Sequence, residues 1–208
     1  MKIGIVAQNQ PEDKFGVNTN YLRFIEEFGD PIIILPVNED RFLDLYSLDA
    51  LLLPGGQDIN PVKYGKNMYG TGNSNPFLEY FDDKLLPKLI GKIPIFGICR
   101  GLQALNVHFG GTLKNLWYHP SSINDNHEAH KVHEPGNKDK KDLWGVNSFH
   151  HQAIDGLAKN LKTELISDDY LHVIEAVSDF ERKIFCVQWH PERLDDDYSK
   201  NMFSRILK

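Results

Sequence analysis

The sequence predicts an open, doubly wound α/β fold, and two observations carry that expectation. Short apolar runs alternate with amphipathic stretches along the chain, and the runs are rich in Ile, Leu and Val without polar alternation. Runs of this kind, bounded by Pro, Gly and Asp, suit strands buried on both faces of a mostly parallel sheet. Amphipathic segments between them then serve as flanking helices. A chain of 208 residues with 41% hydrophobic content can fill one sizeable core, so one domain over residues 1–208 is expected.

Taken in order, the first strand is KIGIVAQ from Lys2. A helix follows, with Leu22, Ile25 and Phe28 at near-helical spacing, and then PIIILP from Pro31 and DALLLPGG from Asp49 as strands. Leu85, Leu86, Leu89 and Ile90 mark the next helix, ahead of the strand KIPIFGI from Lys92 and the helix RGLQALNVHFGG, stopped by Gly110 and Gly111. From about Tyr118 to Asp142 the pattern dissolves into a polar, His-rich and Asn-rich stretch that reads as a long functional loop. KTELIS, YLHVIEAVS and KIFCVQW then read as strands. The last helix starts near Asp196, with Met202, Phe203, Ile206 and Leu207 as its apolar side.

Composition excludes several functions. A net charge of -6 leaves no broad basic surface for a phosphate backbone, so nucleic acid is not an expected partner. Apolar runs fall short of the roughly 20 residues that span a bilayer, and Met1-Lys2 leads straight into a strand, so a soluble, cytoplasmic protein without membrane partners is expected. The two cysteines form no CxxC pair and cannot make a disulfide framework. Each has to be judged by its surroundings. Cys186, alternating with Ile184, reads as a buried strand residue.

Cys99 stands at a strand-to-helix junction within Gly97-Ile98-Cys99-Arg100-Gly101. That glycine spacing is the G-x-S-x-G nucleophile elbow with sulfur for oxygen. The turn brings backbone close to the central residue, where a Cβ at either flanking position would crowd it. A helix N-terminus favours a thiolate, and the Arg100 N–H points where an oxyanion would form. Taken alone, the motif also fits a free cysteine ending a buried strand.

The chemistry needs a base, and CVQWHPE supplies one near the C-terminus. Pro191 biases His190 toward an extended conformation, in which residues two apart point to the same side. Glu192 would then hold one imidazole nitrogen while the other faces the thiol, which is the logic of a nucleophile, a base and an orienting carboxylate.

Together GICRGLQ, QWHPE and LLPGG resemble the class I glutamine amidotransferase superfamily, with its Cys-His-Glu triad and flavodoxin-like core. LLPGGQDINPVKYG, GICRGLQALNVHFGGTL, VNSFHHQAI and VQWHPE, in that order, are similar to its peptidase C26 branch. The resemblance implies Cys99 as nucleophile, His190 as base, Glu192 as its orienter, and the N–H groups of Gly56 and Arg100 as an oxyanion hole. It further implies Gln103, Asn147, Ser148, Phe149, His150 and His151 as substrate contacts.

The implied reaction is cofactor-free hydrolysis of a small γ-glutamyl amide. Its leaving group is left open among γ-aminobutyrate, another amino acid or polyamine product, and a nucleotide phosphoramidate. Two other readings stand beside it: a glutaminase subunit feeding a separate synthetase, and a non-catalytic binding module of the same fold. Homo-oligomers are compatible with every reading.

Six of the nine histidines lie between His119 and His151, with His127, His130 and His133 spaced by three. Zinc pairs on a helix usually sit four apart and this stretch does not look helical, so no metal is expected and these are read as loop or pocket residues. Asn137 to Lys141 (NKDKK) reads as a solvated loop, with contact to a phosphorylated leaving group as the sharper alternative.

Overall fold

The computed structural model describes residues 1–10, 14–36, 45–67, 69–125, 127–137, 142–194 and 196–208. The strands, in chain order, are β1 (Lys2–Val6), β2 (Gln8–Gln10), β3 (Lys14–Gly16), β4 (Asp30–Ile34), β5 (Ala50–Leu53), β6 (Ile95–Ile98), β7 (Thr112–Asn115), β8 (His130–His133), β9 (Trp144–Val146), β10 (Gln152–Gly156), β11 (Lys162–Ser167), β12 (Ile174–Asp179) and β13 (Ile184–Val187). The helices are α1 (Thr19–Glu26), α2 (Pro76–Tyr80), α3 (Leu86–Leu89), α4 (Arg100–His108), α5 (Pro191–Leu194) and α6 (Asp197–Ile206).

One large sheet runs in the order β4-β1-β5-β6-β13-β12-β11-β8-β9. Its first five strands pair in parallel, and the remaining pairings are antiparallel. Within the parallel half the order is that of a flavodoxin-like sheet, whose ligands bind beyond the carboxyl ends of the strands. The predicted parallel sheet with flanking helices is therefore what this half forms, and the antiparallel extension is the feature the apolar runs did not announce.

The strands lack polar alternation because both faces are covered. Leu51, Leu53, Ile95, Ile184 and Cys186 face one core, which is shared with Leu102 and Leu105 of α4. Ala50, Leu52, Phe96, Ile98, Phe185 and Val187 face the other, shared with α1 and α6. Phe24 of α1 stacks on Phe203 of α6 at 6.0 Å. The buried side of α1 is Tyr21, Phe24 and Ile25, so the predicted Leu22, Ile25 and Phe28 catch its edge. The last helix begins as predicted, with Asp196 accepting from the Ser199 N–H at 2.7 Å.

The polar stretch from Tyr118 to Asp142 is not wholly irregular, because His130–His133 forms β8 between β11 and β9. Four residues are too few to show a strand period, and their partners lie far away in sequence. Lys141 and the three residues before it lie outside the described residues, and with them the expectation for NKDKK. Among the described residues, no helix is long and apolar enough to cross a membrane.

Candidate active site

Four parallel strands deliver their carboxyl ends to one place. β6 ends at Ile98 and α4 begins at Arg100, so Cys99 occupies the turn between them with φ 51 and ψ -102. A non-glycine residue is strained there and stays only if its surroundings fix it. The Cys99 N–H donates to the Val187 carbonyl at 2.8 Å, and its own carbonyl accepts from the Gln103 N–H at 3.2 Å. A Cβ on Gly97 would lie 2.7 Å from the Cys186 sulfur, and one on Gly101 would collide with the Leu53 carbonyl. The turn therefore needs both glycines, and their reason is close packing.

Arg100 opens α4, where its N–H has no intrahelical acceptor. Its side chain is buried and fixed, with Nε donating to the Gln57 carbonyl at 2.8 Å and Nη2 pairing with Asp82 Oδ2 at 2.8 Å. These contacts anchor the segment that carries Gly56. A Cβ on Gly56 would stand 3.1 Å from Arg100 Cδ, so the two N–H groups expected to hold an oxyanion belong to neighbouring residues.

β13 leads into His190, which is buried with Nδ1 2.8 Å from Glu192 Oε1. The expected meeting of His190 and Glu192 occurs, but the extended-chain reason for it does not hold. Pro191 begins the short helix α5, and Glu192 returns to the imidazole from its first turn. Proline suits that first helical position because its missing N–H would have had no partner. Burial opposes charge on the His190 ring, but Cys99 and Glu192 outweigh it and raise its pKa to about 10.

Two residues not foreseen from the sequence hold the glycine turn after β5. The Gly55 N–H donates to the Tyr21 hydroxyl at 2.9 Å, and the Gly55 carbonyl accepts from Gln8 Nε2. Burial first, and then the Glu192 and Cys99 charges, push the Tyr21 hydroxyl well above its ordinary range and keep it protonated. Beside this turn lies a cleft of ≈ 250 Å³ lined by Gln8, Tyr21, Gly55, Gly56, His190 and Arg193 among others. Gln8 could have been suspected from its place just beyond β1, since ligands gather at that edge of a parallel sheet. Tyr21 gave no signal beyond its place on an amphipathic helix.

The residues implied as substrate contacts divide sharply. The Gln103 amide donates to the Gln152 carbonyl at 3.0 Å and lies 3.3 Å from Gln188 Oε1, inside the protein. Asn147 brackets the His190 peptide, and Ser148 is buried, its N–H donating to Ser122 Oγ. Phe149 sets its ring edge-on to the His190 imidazole at 5.6 Å, while Arg193 lies 4.7 Å above the Phe149 ring. His150 turns away into the interior, where burial pushes its imidazole down to about 4. His151 is exposed and pairs with Asp58 at 2.8 Å. None of these six is among the residues lining the cleft.

His127, His130 and His133 do not converge. His127 Nδ1 accepts from the Ile123 N–H, and His133 Nδ1 bonds the Glu134 carbonyl. His130 faces inward to Glu175, whose burial would raise its carboxyl but whose imidazole neighbours more than offset that and lower it.

The chain is similar to known proteins over most of its length. The peptidase C26 family model matches residues 3–192. A γ-glutamyl-γ-aminobutyrate hydrolase of Escherichia coli K12 is 32% identical over 216 residues, covering 90% of this chain and 81% of the relative. A glutamine amidotransferase-like protein of Lactococcus lactis is 32% identical over 188 residues, covering 83% of this chain and 79% of the relative. Among solved structures, a GMP synthase-type protein of Thermoplasma acidophilum superposes with a TM-score of 0.68 at 22% identity, over 100% of this chain and 92% of that one. A strand-to-helix cysteine turn, a histidine and glutamate beyond the last parallel strand and a family match across nearly the whole chain lead to one conclusion: this chain belongs to the peptidase C26 family of glutamine amidotransferase-like hydrolases.

Proposed function

We propose that this chain hydrolyses a γ-glutamyl amide, using Cys99 as nucleophile, His190 as acid and base, and Glu192 to orient His190. The observation that carries the reading is the strained Cys99 turn at the start of α4, against a buried His190 paired with Glu192. His190 already holds the proton that it shares with the Cys99 sulfur, and the sulfur attacks the γ-carbonyl carbon. The resulting oxyanion is held by the N–H groups of Gly56 and Arg100. As the C–N bond breaks, His190 gives its proton to the departing amine, leaving a glutamyl thioester. Water then loses a proton to His190 and attacks the thioester; the C–S bond breaks, glutamate leaves, and His190 again shares its proton with the sulfur. Every step uses groups of the chain, substrate and water.

For the leaving group, the relative from Escherichia coli supports γ-aminobutyrate. A second reading, a glutaminase that serves a separate synthetase, is supported by the relatives described as glutamine amidotransferase-like. The test measures glutamate release from glutamine, γ-glutamyl-γ-aminobutyrate and γ-glutamyl nucleotide phosphoramidates, with Cys99→Ala in parallel. Release from a conjugate but not from glutamine, lost in the variant, supports the hydrolase. Release from glutamine alone supports the second reading, and release that survives Cys99→Ala overturns both.

A further inference from the structure

Away from the cysteine turn, three imidazoles surround one buried carboxylate. The side chains of His119, His130, His150 and Glu175 are 1%, 4%, 2% and 0% exposed, and they come from the loop after β7, from β8, from the segment before β10 and from β12. Nε2 of His119, His130 and His150 lie 3.5, 3.2 and 3.9 Å from Glu175 Oε1. None of these approaches has hydrogen-bond geometry, so all three nitrogens and both carboxylate oxygens are buried without a hydrogen-bond partner. Such groups are costly, and this many converging on one point calls for an occupant.

The hydrogen bonds that do exist show what kind. His119 Nδ1 lies 2.9 Å from Asp169 Oδ2, and His150 Nδ1 lies 3.0 Å from the Gln152 carbonyl. Both acceptors place the ring proton on Nδ1 and leave Nε2 as a lone pair aimed at the carboxylate. Lone pairs facing an anion repel unless a cation lies between them. An imidazole whose outer nitrogen is fixed by a carboxylate or carbonyl is also the usual second layer of a metal site. Tetrahedral zinc with bonds of roughly 2.0–2.1 Å sets its ligands about 3.3 Å apart, close to the 3.5 and 3.2 Å of His119 and His130 from the carboxylate, whereas His150 at 3.9 Å lies farther out.

We propose that His119, His130 and Glu175 form a structural zinc site, with His150 beside it. Two imidazole nitrogens and a carboxylate oxygen suit zinc, and the burial of all three side chains suits a structural role. The ion ties the loop after β7 to β8 and β12 of the large sheet. The site stands independently of the hydrolytic reading, because it takes no part in the thiol chemistry.

The test is elemental analysis of the purified full chain, zinc-edge X-ray absorption, and cobalt substitution. About one zinc per chain is expected, with nitrogen and oxygen ligands only, and cobalt should give the intense visible bands of tetrahedral coordination. His130→Asn and Glu175→Gln should each lower the zinc content at least about fivefold. A wild-type chain that takes up no zinc on titration overturns the site, as do folded variants that keep their zinc. If neither variant folds, the absorption spectrum decides on the wild type alone: a sulfur ligand would overturn the assignment, and several imidazoles around zinc would uphold it.

Discussion

Asn147 holds both sides of the His190 peptide, accepting from its N–H at 2.8 Å and donating to its carbonyl at 2.9 Å. The two residues are 43 apart in sequence, and Asn147 is fully buried. Asn147 thus fixes the backbone that carries the imidazole.

Asn147→Ala should therefore slow the reaction without much weakening substrate binding. Two buried peptide groups lose their partners, at about 1–3 kcal/mol each, and a ring displaced by an ångström costs on the order of 100-fold in rate. Steady-state kinetics on whichever γ-glutamyl substrate is accepted should show the loss in kcat, with KM within about threefold. A loss confined to KM would return Asn147 to the role of substrate contact.

The charge on His190 gives a second expectation. Burial works against the imidazolium, whereas Cys99 first and Glu192 next favour it, so the net shift is upward from 6.5 to about 10. The ring should therefore stay protonated well above the ordinary histidine range. Removing the Cys99 sulfur takes away the largest raising contribution while burial persists, so the midpoint should fall in Cys99→Ala and, by less, in Glu192→Gln. NMR titration of the His190 ring reads this directly. A midpoint that Cys99→Ala leaves in place would separate the thiol from the imidazole and break the proposed pair.

Gly101 lies inside α4, where exchanging glycine for alanine ordinarily stabilises a helix by about 1 kcal/mol. Here the sign should reverse. A Cβ at Gly101 would run into the backbone of Leu53, and its contact with Leu53 Cβ would be 2.8 Å. Overpacking of this kind costs about 1–3 kcal/mol. Urea unfolding of Gly101→Ala should show that loss at unchanged m-value, and a stabilised variant would mean the helix can shift away from β5 cheaply.

Much of this was legible in the chain because the parallel strands are buried on both faces, so their apolar runs stand out without needing a partner to explain them. Cys99 stood out for a different reason, because glycine spacing marks the backbone as well as the side chain, whereas the pairing of His190 with Glu192 was expected from an extended chain and is made instead by a helical turn. In the substrate segment the structure separates side chains that the chain does not distinguish. Nothing in VNSFHHQ tells an inward Asn147 from an outward His151, since the segment is irregular and has no period to fix its facing. The cluster around Glu175 was invisible because its members are brought together by β8, β12 and two loops, and spacing along the chain records none of that.

Tyr21 carries the last expectation, because its hydroxyl accepts the Gly55 N–H at the edge of the cleft. Tyr21→Phe removes one oxygen and leaves the ring packed in the core with Phe24 and Ile25. The Gly55 N–H would then lose its acceptor, costing about 1–3 kcal/mol in stability. Gly55 has little room to adjust, since a Cβ there would meet His190 Cε1 at 2.8 Å. Relaxation should instead pass to Gly56, the neighbour proposed to hold the oxyanion, and so to kcat. Unfolding and kinetic measurements on Tyr21→Phe should thus move together. A destabilised variant with wild-type kcat would show that the glycine turn keeps its shape without the tyrosine, and that Tyr21 serves the fold alone.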